Sequence, residues 1–129
     1  MLMASGEELP ENVKAIIADC GYTSEWDEFK CEANALHIPW FPVLNAASVM
    51  SRLRDGYDFK QASALEQVKQ SRIPTLFIHG SDDELVPYSM LDKLYSAAAC
   101  EKECLTVNGA GHALSSSVEP ELYWNTVEN

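Results

Sequence analysis

The sequence predicts an α/β fold in which three parallel strands are flanked by helices. Three short apolar segments carry this prediction: Val13–Asp19, Thr75–Ile78 and Glu103–Val107. Each contains several strand-forming residues and is followed by a turn and then by a helical pattern. Strands that alternate with helices along a chain are typical of a parallel sheet with right-handed crossovers.

The first strand is preceded by a short helical segment. Met1–Gly6 predicts the end of a helix, with Gly6 as its C-cap. The strand Val13–Asp19 is continuously rather than alternately hydrophobic. This pattern predicts a strand that is buried on both faces.

Between the first and second strands, residues 23–70 show helix and loop patterns only. Four local signals divide this segment: an N-cap at Ser24 for a helix to Glu32, a proline-punctuated aromatic loop at His37–Pro42, a helix at Leu44–Leu53, and a capping box at Ser63–Glu66. A segment of this length exceeds a simple crossover between parallel strands. It is therefore expected to form a helical unit of its own.

The second half of the chain has the clearer pattern. Pro74 and Gly80 bound the second strand. Tyr88–Ala99 has apolar residues at helical spacing, which predicts an amphipathic helix covering the sheet. Val118–Val127 predicts a last helix with a proline at an early position.

The charge balance excludes some partners. Acidic residues outnumber basic ones by 20 to 9, which gives a formal net charge of −11. Nucleic-acid binding is not expected, because phosphate contacts need clustered Lys and Arg.

There is no apolar run of membrane-spanning length, and the first residues do not resemble a signal peptide, so a cytoplasmic protein is expected.

The four cysteines do not form a recognisable metal motif. They stand at positions 20, 31, 100 and 104, without a C-x-x-C pair. Reduced structural thiols are therefore expected, with neither a bound metal nor a cofactor.

Two loops carry the residues best suited to chemistry. The second strand leads into the acidic loop His79–Pro87, and the third leads into Asn108–Gly111, which His112 follows directly. If the strands are parallel neighbours, both loops leave the same edge of the sheet. A carboxylate and an imidazole would then meet, as in the acid–base half of a Ser-His-Asp triad.

These residues resemble the α/β-hydrolase family. The family pattern H-G-x-x-D-x-x-V-P, followed by a strand and G-x-G-H, stands here as His79–Pro87 and Gly109–His112. The resemblance covers about Ser63–His112. It implies that residues 1–129 are the C-terminal half of an α/β-hydrolase domain, with residues 23–70 as a helical cap or lid. It also implies a bacterial serine hydrolase, similar to esterases or peptidases, that cleaves a small acyl ester, thioester or peptide without a cofactor.

The resemblance assigns a role to each matching residue. His112 matches the catalytic histidine, and Asp83 is the acid that fits the family spacing. Asp82 and Asp19, which ends the first strand, are the alternative acids. His79 is expected to make a structural hydrogen bond near the turn.

Three aromatic residues in the helical segment are the candidates for substrate contact. Trp26, Trp40 and Phe41 are interpreted first as packing residues and second as the lining of an acyl or alcohol pocket.

The sequence contains no G-x-S-x-G, the turn that exposes the nucleophile in this family. Neither Ser81 nor the serines at 115–117 stand in that context. We therefore expect this chain to be a fragment whose nucleophile lies outside these residues, as would any membrane anchor. The chain alone is expected to be inactive. An uncovered first strand would then favour homo-oligomers or low solubility.

Two other functions compete with this one. The chain could be a non-catalytic module that binds a partner or itself through the sheet edge. A flavodoxin-like phosphate-binding domain is disfavoured, because Asn108–Gly111 has no Lys or Arg nearby.

Overall fold

The computed structural model of the protein describes all residues from 1 to 129 and contains one three-stranded sheet. The strands are β1 (Ile16–Asp19), β2 (Thr75–Gly80) and β3 (Lys102–Val107). They lie in the order β1-β2-β3, and both neighbouring pairs are parallel. The predicted α/β class and parallel sheet are confirmed.

Six helices flank the sheet: α1 (Glu25–Ala35), α2 (Trp40–Asp55), α3 (Ala64–Val68), α4 (Tyr88–Ala97), α5 (Ser115–Val118) and α6 (Pro120–Glu128). The first three lie between β1 and β2 in sequence, α4 connects β2 to β3, and the last two follow β3. None of these helices has both the length and the apolar character needed to cross a membrane.

The predicted N-terminal boundaries of α1 and α3, at Ser24 and Ser63, are confirmed by local hydrogen bonds. Ser24 Oγ accepts the Asp27 N–H at 3.1 Å, and Ser63 Oγ accepts the Glu66 N–H at 3.3 Å. Such side-chain caps satisfy N–H groups that have no partner within the helix. At Phe41 the backbone of α2 is extended (φ −98°, ψ 131°), so the predicted proline-rich loop forms an irregular first turn of this helix.

The first strand is buried on one face only, so the expected burial on both faces is not found in this chain, whereas the expected uncovered first strand is. Ile16 is fully buried, whereas the next residue, Ile17, is 43 % exposed. β1 lies at the edge of the sheet, and its side chains alternate between the core and solvent. It also begins at Ile16 rather than Val13, because the Val13 N–H bonds Pro10 O in a turn.

Other boundaries also differ from the prediction: α1 continues to Ala35 rather than ending at Glu32, and α2 spans Trp40–Asp55 rather than Leu44–Leu53. The N-terminal helical segment is a single 3-10 turn over Leu2–Ala4, and it ends at Ser5 rather than at Gly6. After β3 the chain becomes helical at Ser115, earlier than predicted, and breaks at Glu119 before α6.

The core lies mainly on one face of the sheet, beneath α3 and α4. The buried residues of this main cluster are Leu2, Ile16, Ala18, Ala64, Val68, Phe77, Leu91, Leu94 and Ala98. A smaller cluster contains Ile78, Leu105, Val107 and Ala110, with Tyr123 and Val127 of α6 against it. Helices α3, α4 and α6 thus cover the sheet, and their packing fixes the positions of its strand ends.

Leu94→Ala is expected to destabilise the protein by about 2–5 kcal/mol. Leu94 is fully buried in the main cluster, so its truncation removes apolar contacts and leaves a cavity. Urea unfolding followed by circular dichroism measures the change. Leu53→Ala is the control: this side chain is 78 % exposed, and its loss should change stability by at most about 0.5 kcal/mol. Similar losses in both variants would contradict the packing described here.

Candidate active site

The loops after β2 and β3 leave the same edge of the sheet. His79 is paired with Thr106, and Gly80 with Val107, at the ends of two parallel strands. The segment 81–87 therefore starts next to the segment 108–112. Parallel pairing brings together residues that are about thirty positions apart in the sequence.

The two loops are in close contact at Gly80. A Cβ atom at this position would lie 2.1 Å from the carbonyl oxygen of Ala110, so only glycine permits this approach. Ser81 adds a polar link, since its Oγ accepts the Gly109 N–H at 2.8 Å and donates to Asp82 Oδ1 at 2.6 Å. These contacts fix the relative position of the two loops.

Asp83 and His112 form the central contact of the site. His112 Nδ1 lies 2.9 Å from Asp83 Oδ2. The other carboxylate oxygen, Oδ1, accepts the N–H groups of Leu85 at 3.0 Å and Val86 at 2.8 Å. The Asp83 side chain is buried, whereas that of His112 is 38 % exposed. The carboxylate is therefore held from both sides, and the imidazole reaches the surface.

The environment of Asp83 favours its ionised form. Burial alone would raise the pKa of this carboxyl, but the hydrogen bonds from Val86 N–H and His112, together with the charge of His112, lower the pKa below its ordinary value. An ionised carboxylate can only accept hydrogen bonds, so His112 Nδ1 is the donor. The Nε2 atom is then the unprotonated nitrogen of a neutral imidazole and can accept a proton.

His79 has a structural role in the same loop. It is fully buried, and its Nε2 lies 2.9 Å from the carbonyl oxygen of Val86, to which it donates. The same atom is 3.4 Å from Asp83 Oδ2. This is the hydrogen bond near the turn that the sequence predicts.

The alternative acids have other partners. Asp82 is exposed and accepts the Ser81 hydroxyl. Asp19 accepts the Cys20 thiol at 3.2 Å and the Tyr123 hydroxyl at 3.1 Å. Of the three carboxylates considered, Asp83 is the one whose hydrogen bond goes to His112.

Cys20 lies beside the Asp83–His112 pair. The sequence did not predict this placement of Cys20. Its Sγ accepts the Ala113 N–H at 3.3 Å and lies within 4.8 Å of donor atoms of Asp83 and His112. Burial raises the pKa of this thiol to about 12. The protonated thiol is therefore favoured near neutral pH in the metal-free chain. Its position directly after β1, at the same sheet edge as the two loops, is the only sequence signal for this placement.

Glu28 on α1 is a second residue that the sequence did not indicate. Its Oε2 atom is buried and has no hydrogen-bond partner in the chain. Burial, the neighbouring Glu32 and, to a smaller extent, Asp83 raise the pKa of this carboxyl. His112 acts in the opposite direction and lowers it. The α1 helix thus carries a carboxylate within electrostatic range of the pair.

Glu28→Gln is expected to raise the stability of the folded chain at pH 7. Because the pKa of Glu28 is raised on folding, ionisation costs folding free energy above the folded pKa, and this cost vanishes below the unfolded value of about 4.3. The gain in melting temperature should therefore narrow as the pH falls toward 4. Glu11→Gln removes the same charge at an exposed position and is the control. Equal changes in melting temperature for the two variants at all pH values would contradict a raised pKa for Glu28 in the folded chain.

The three candidate substrate-binding aromatics form one cluster between α1 and α2. The rings of Trp26 and Trp40 meet edge to face at 6.4 Å, and those of Trp40 and Phe41 at 6.2 Å. Trp40 also lines an apolar cleft of about 330 Å³ with Phe29, Leu36, Ile38, Val43, Phe59 and others. Packing between helices explains these contacts, and the predicted substrate contact of the three residues stays a prediction.

The fold and the sequence both relate this chain to α/β hydrolases. An esterase of Pyrococcus furiosus superimposes with a TM-score of 0.67 at 15 % identity, covering 98 % of this chain and 47 % of the esterase. An acylaminoacyl peptidase of Pyrococcus horikoshii superimposes with a TM-score of 0.65 at 17 % identity, covering 98 % of this chain and 21 % of the peptidase. At these identities the similarity shows a shared fold.

The sequence model of the family described as "Serine aminopeptidase, S33" matches residues 50–120, which is more than half of the chain. The protein therefore belongs to this family of α/β hydrolases. The YqkD protein of Bacillus subtilis is 27 % identical over 128 residues, covering 98 % of this chain and 42 % of YqkD. The chain thus spans less than half the length of the curated relatives it matches.

Proposed function

We propose that this chain supplies the acid and the histidine of a Ser-His-Asp hydrolase, with Asp83 and His112 in these roles. The observation that carries the proposal is the 2.9 Å contact between His112 Nδ1 and a buried carboxylate that two backbone N–H groups hold in place. The hydrolase family and the α/β-hydrolase fold support it.

The geometry supports the following proton transfers. His112 Nε2 accepts the proton of an attacking hydroxyl, and the resulting imidazolium is stabilised by the ionised Asp83. The same nitrogen then returns the proton to the leaving group. These steps leave the acyl group on the nucleophile as an acyl-enzyme. Water then attacks the acyl-enzyme, and His112 Nε2 again accepts a proton and returns it, this time to the nucleophile oxygen. Asp83 remains ionised throughout and keeps the imidazole in the productive tautomer.

The serine nucleophile is proposed to belong to a segment that precedes these residues in a longer polypeptide. No G-x-S-x-G occurs here, and the chain covers less than half of YqkD and of the Pyrococcus furiosus esterase. Ser81, the serine of the acidic loop, is engaged with Gly109 and Asp82. Acyl esters, thioesters and peptides are the substrate classes, and Trp26, Trp40 and Phe41 are the proposed pocket residues.

Hydrolysis of p-nitrophenyl acyl esters tests this proposal. The assay compares this chain with the extended polypeptide, defined as this chain preceded by the segment encoded upstream in its gene. The extended polypeptide is expected to hydrolyse the esters, and the chain alone should match the uncatalysed rate. Hydrolysis by the chain alone, or an upstream segment without a nucleophile turn, would refute the division of the triad.

Self-association through β1 is the second candidate function. The outer edge of β1 has no strand partner, and the Ile17 side chain is exposed on one face of the strand. Such an edge pairs readily with another strand. The isolated chain is therefore expected to form oligomers in light scattering, and Ile17→Lys should shift it to monomer. A monodisperse wild-type monomer would count against this candidate.

A further inference from the structure

Three chemically different donor groups converge at the end of the sheet. Cys20 Sγ, a carboxylate oxygen of Asp83 and a ring nitrogen of His112 all lie within 4.8 Å of one another. They come from the end of β1, the loop after β2 and the loop after β3. Their positions along the chain do not form any metal-binding sequence motif.

This donor set matches the preferences of zinc. Thiolate, imidazole and carboxylate are its usual ligands, whereas Mg²⁺ and Ca²⁺ prefer oxygen alone. Ligand atoms of a tetrahedral Zn²⁺ are about 3.3–3.8 Å apart, given bond lengths of about 2.0–2.3 Å. Asp83 Oδ2 and His112 Nδ1 are 2.9 Å apart, and no pair in the cluster exceeds 4.8 Å. Side-chain movements of about 1 Å would therefore form the site.

The surroundings also suit a metal site. Backbone N–H groups hold Asp83 Oδ1, so Oδ2 can exchange its hydrogen bond with His112 for a bond to a cation. The Ala113 N–H already donates to Cys20 Sγ at 3.3 Å, a contact that would persist to a thiolate. Outer hydrogen bonds of this kind orient metal ligands. The partial exposure of His112 provides a route of entry.

We propose that Cys20, Asp83 and His112 form a binding site for Zn²⁺. On binding, a bond forms from zinc to each of the three donors, and the Cys20 S–H proton leaves to solvent. His112 binds through an unprotonated nitrogen and keeps its proton on the other. The cation takes the place of the Asp83–His112 hydrogen bond. If Asp83 and His112 act as the acid and base proposed above, bound zinc would prevent His112 from acting as a general base. Only this consequence rests on the proposed function.

A Co²⁺ titration of the isolated chain tests the site, since Co²⁺ replaces Zn²⁺ and is visible spectroscopically. The expected result is one equivalent bound, with visible bands of tetrahedral cobalt and a near-ultraviolet sulfur-to-cobalt band that Zn²⁺ abolishes. Cys20→Ser should remove the sulfur band. His112→Gln, which alters a partly exposed side chain, should weaken binding by about ten-fold or more.

Cys104→Ser is the matched control, because this thiol is exposed and far along the chain from Cys20. It should leave the spectrum unchanged. A sulfur band that survives Cys20→Ser, a band lost in Cys104→Ser, or a folded wild-type chain with no band would overturn the proposal. If Cys20→Ser fails to fold by circular dichroism, undiminished Co²⁺ affinity in His112→Gln overturns it instead. The titration needs no nucleophile, so a failure of ester hydrolysis in the extended polypeptide would refute the proposed function and leave the zinc site standing.

Discussion

His112→Ala in the extended polypeptide is expected to lower kcat for acyl ester hydrolysis by about 10⁴-fold or more. His112 is the proposed group that takes the proton from the nucleophile and returns it to the leaving group. Without it, the hydroxyl must lose its proton to water, and the residual rate would come from substrate binding and oxyanion stabilisation alone. Steady-state assays with p-nitrophenyl esters measure the change.

His37→Ala is the control for this experiment. His37 is exposed and belongs to the segment between α1 and α2, not to the loops after β2 and β3. Its replacement should change kcat by no more than about two-fold, which corresponds to a barrier change below about 0.5 kcal/mol. Comparable losses in the two variants would show that His112 is not the proton acceptor.

Asp83→Asn is expected to lower kcat by about 10⁴-fold while leaving the fold largely intact. The amide has nearly the shape of the carboxylate. However, its oxygen would be drawn to the Leu85 and Val86 N–H groups, so its NH₂ group would face His112. The imidazole would then turn its acceptor nitrogen toward residue 83 and its N–H toward the nucleophile. That is the wrong tautomer for a general base.

Asp82→Asn provides a closely matched control. Asp82 is adjacent in sequence and carries the same charge, but it is exposed and its hydrogen-bond partner is Ser81. We expect a loss of less than about three-fold, since only a surface hydrogen bond changes. A larger loss in Asp82→Asn than in Asp83→Asn would assign the acid role to the other carboxylate.

The elements that sequence patterns predict well are those whose signals are local. Ser24 and Ser63 each cap a helix through a hydrogen bond to an N–H three residues later, so the pattern and the contact lie in the same segment. β2 is bounded by Pro74 and Gly80, and Gly80 is required by its contact with Ala110. The pairing of the two loops follows from the parallel register of β2 and β3.

The misses have physical causes that no local pattern contains. The exposure of Ile17 depends on what packs against its face of β1, not on its own hydrophobicity. The short α5 helix contains three serines, which are weak helix formers, so its pattern predicts no helix. Cys20 reaches the site only because the ends of three parallel strands meet at one edge. Cysteine spacing therefore predicts no metal ligand at this position.

Covalent labelling of the extended polypeptide with a fluorophosphonate tests the central claim most directly. Mass spectrometry is expected to find one modified serine, in a segment that precedes residue 1. The labelling rate should fall steeply in His112→Ala and Asp83→Asn and remain near wild type in Asp82→Asn. Labelling at Ser81 or another serine of this chain, or labelling at an unchanged rate in His112→Ala, would contradict the assignment of Asp83 and His112 as the acid and base of the triad.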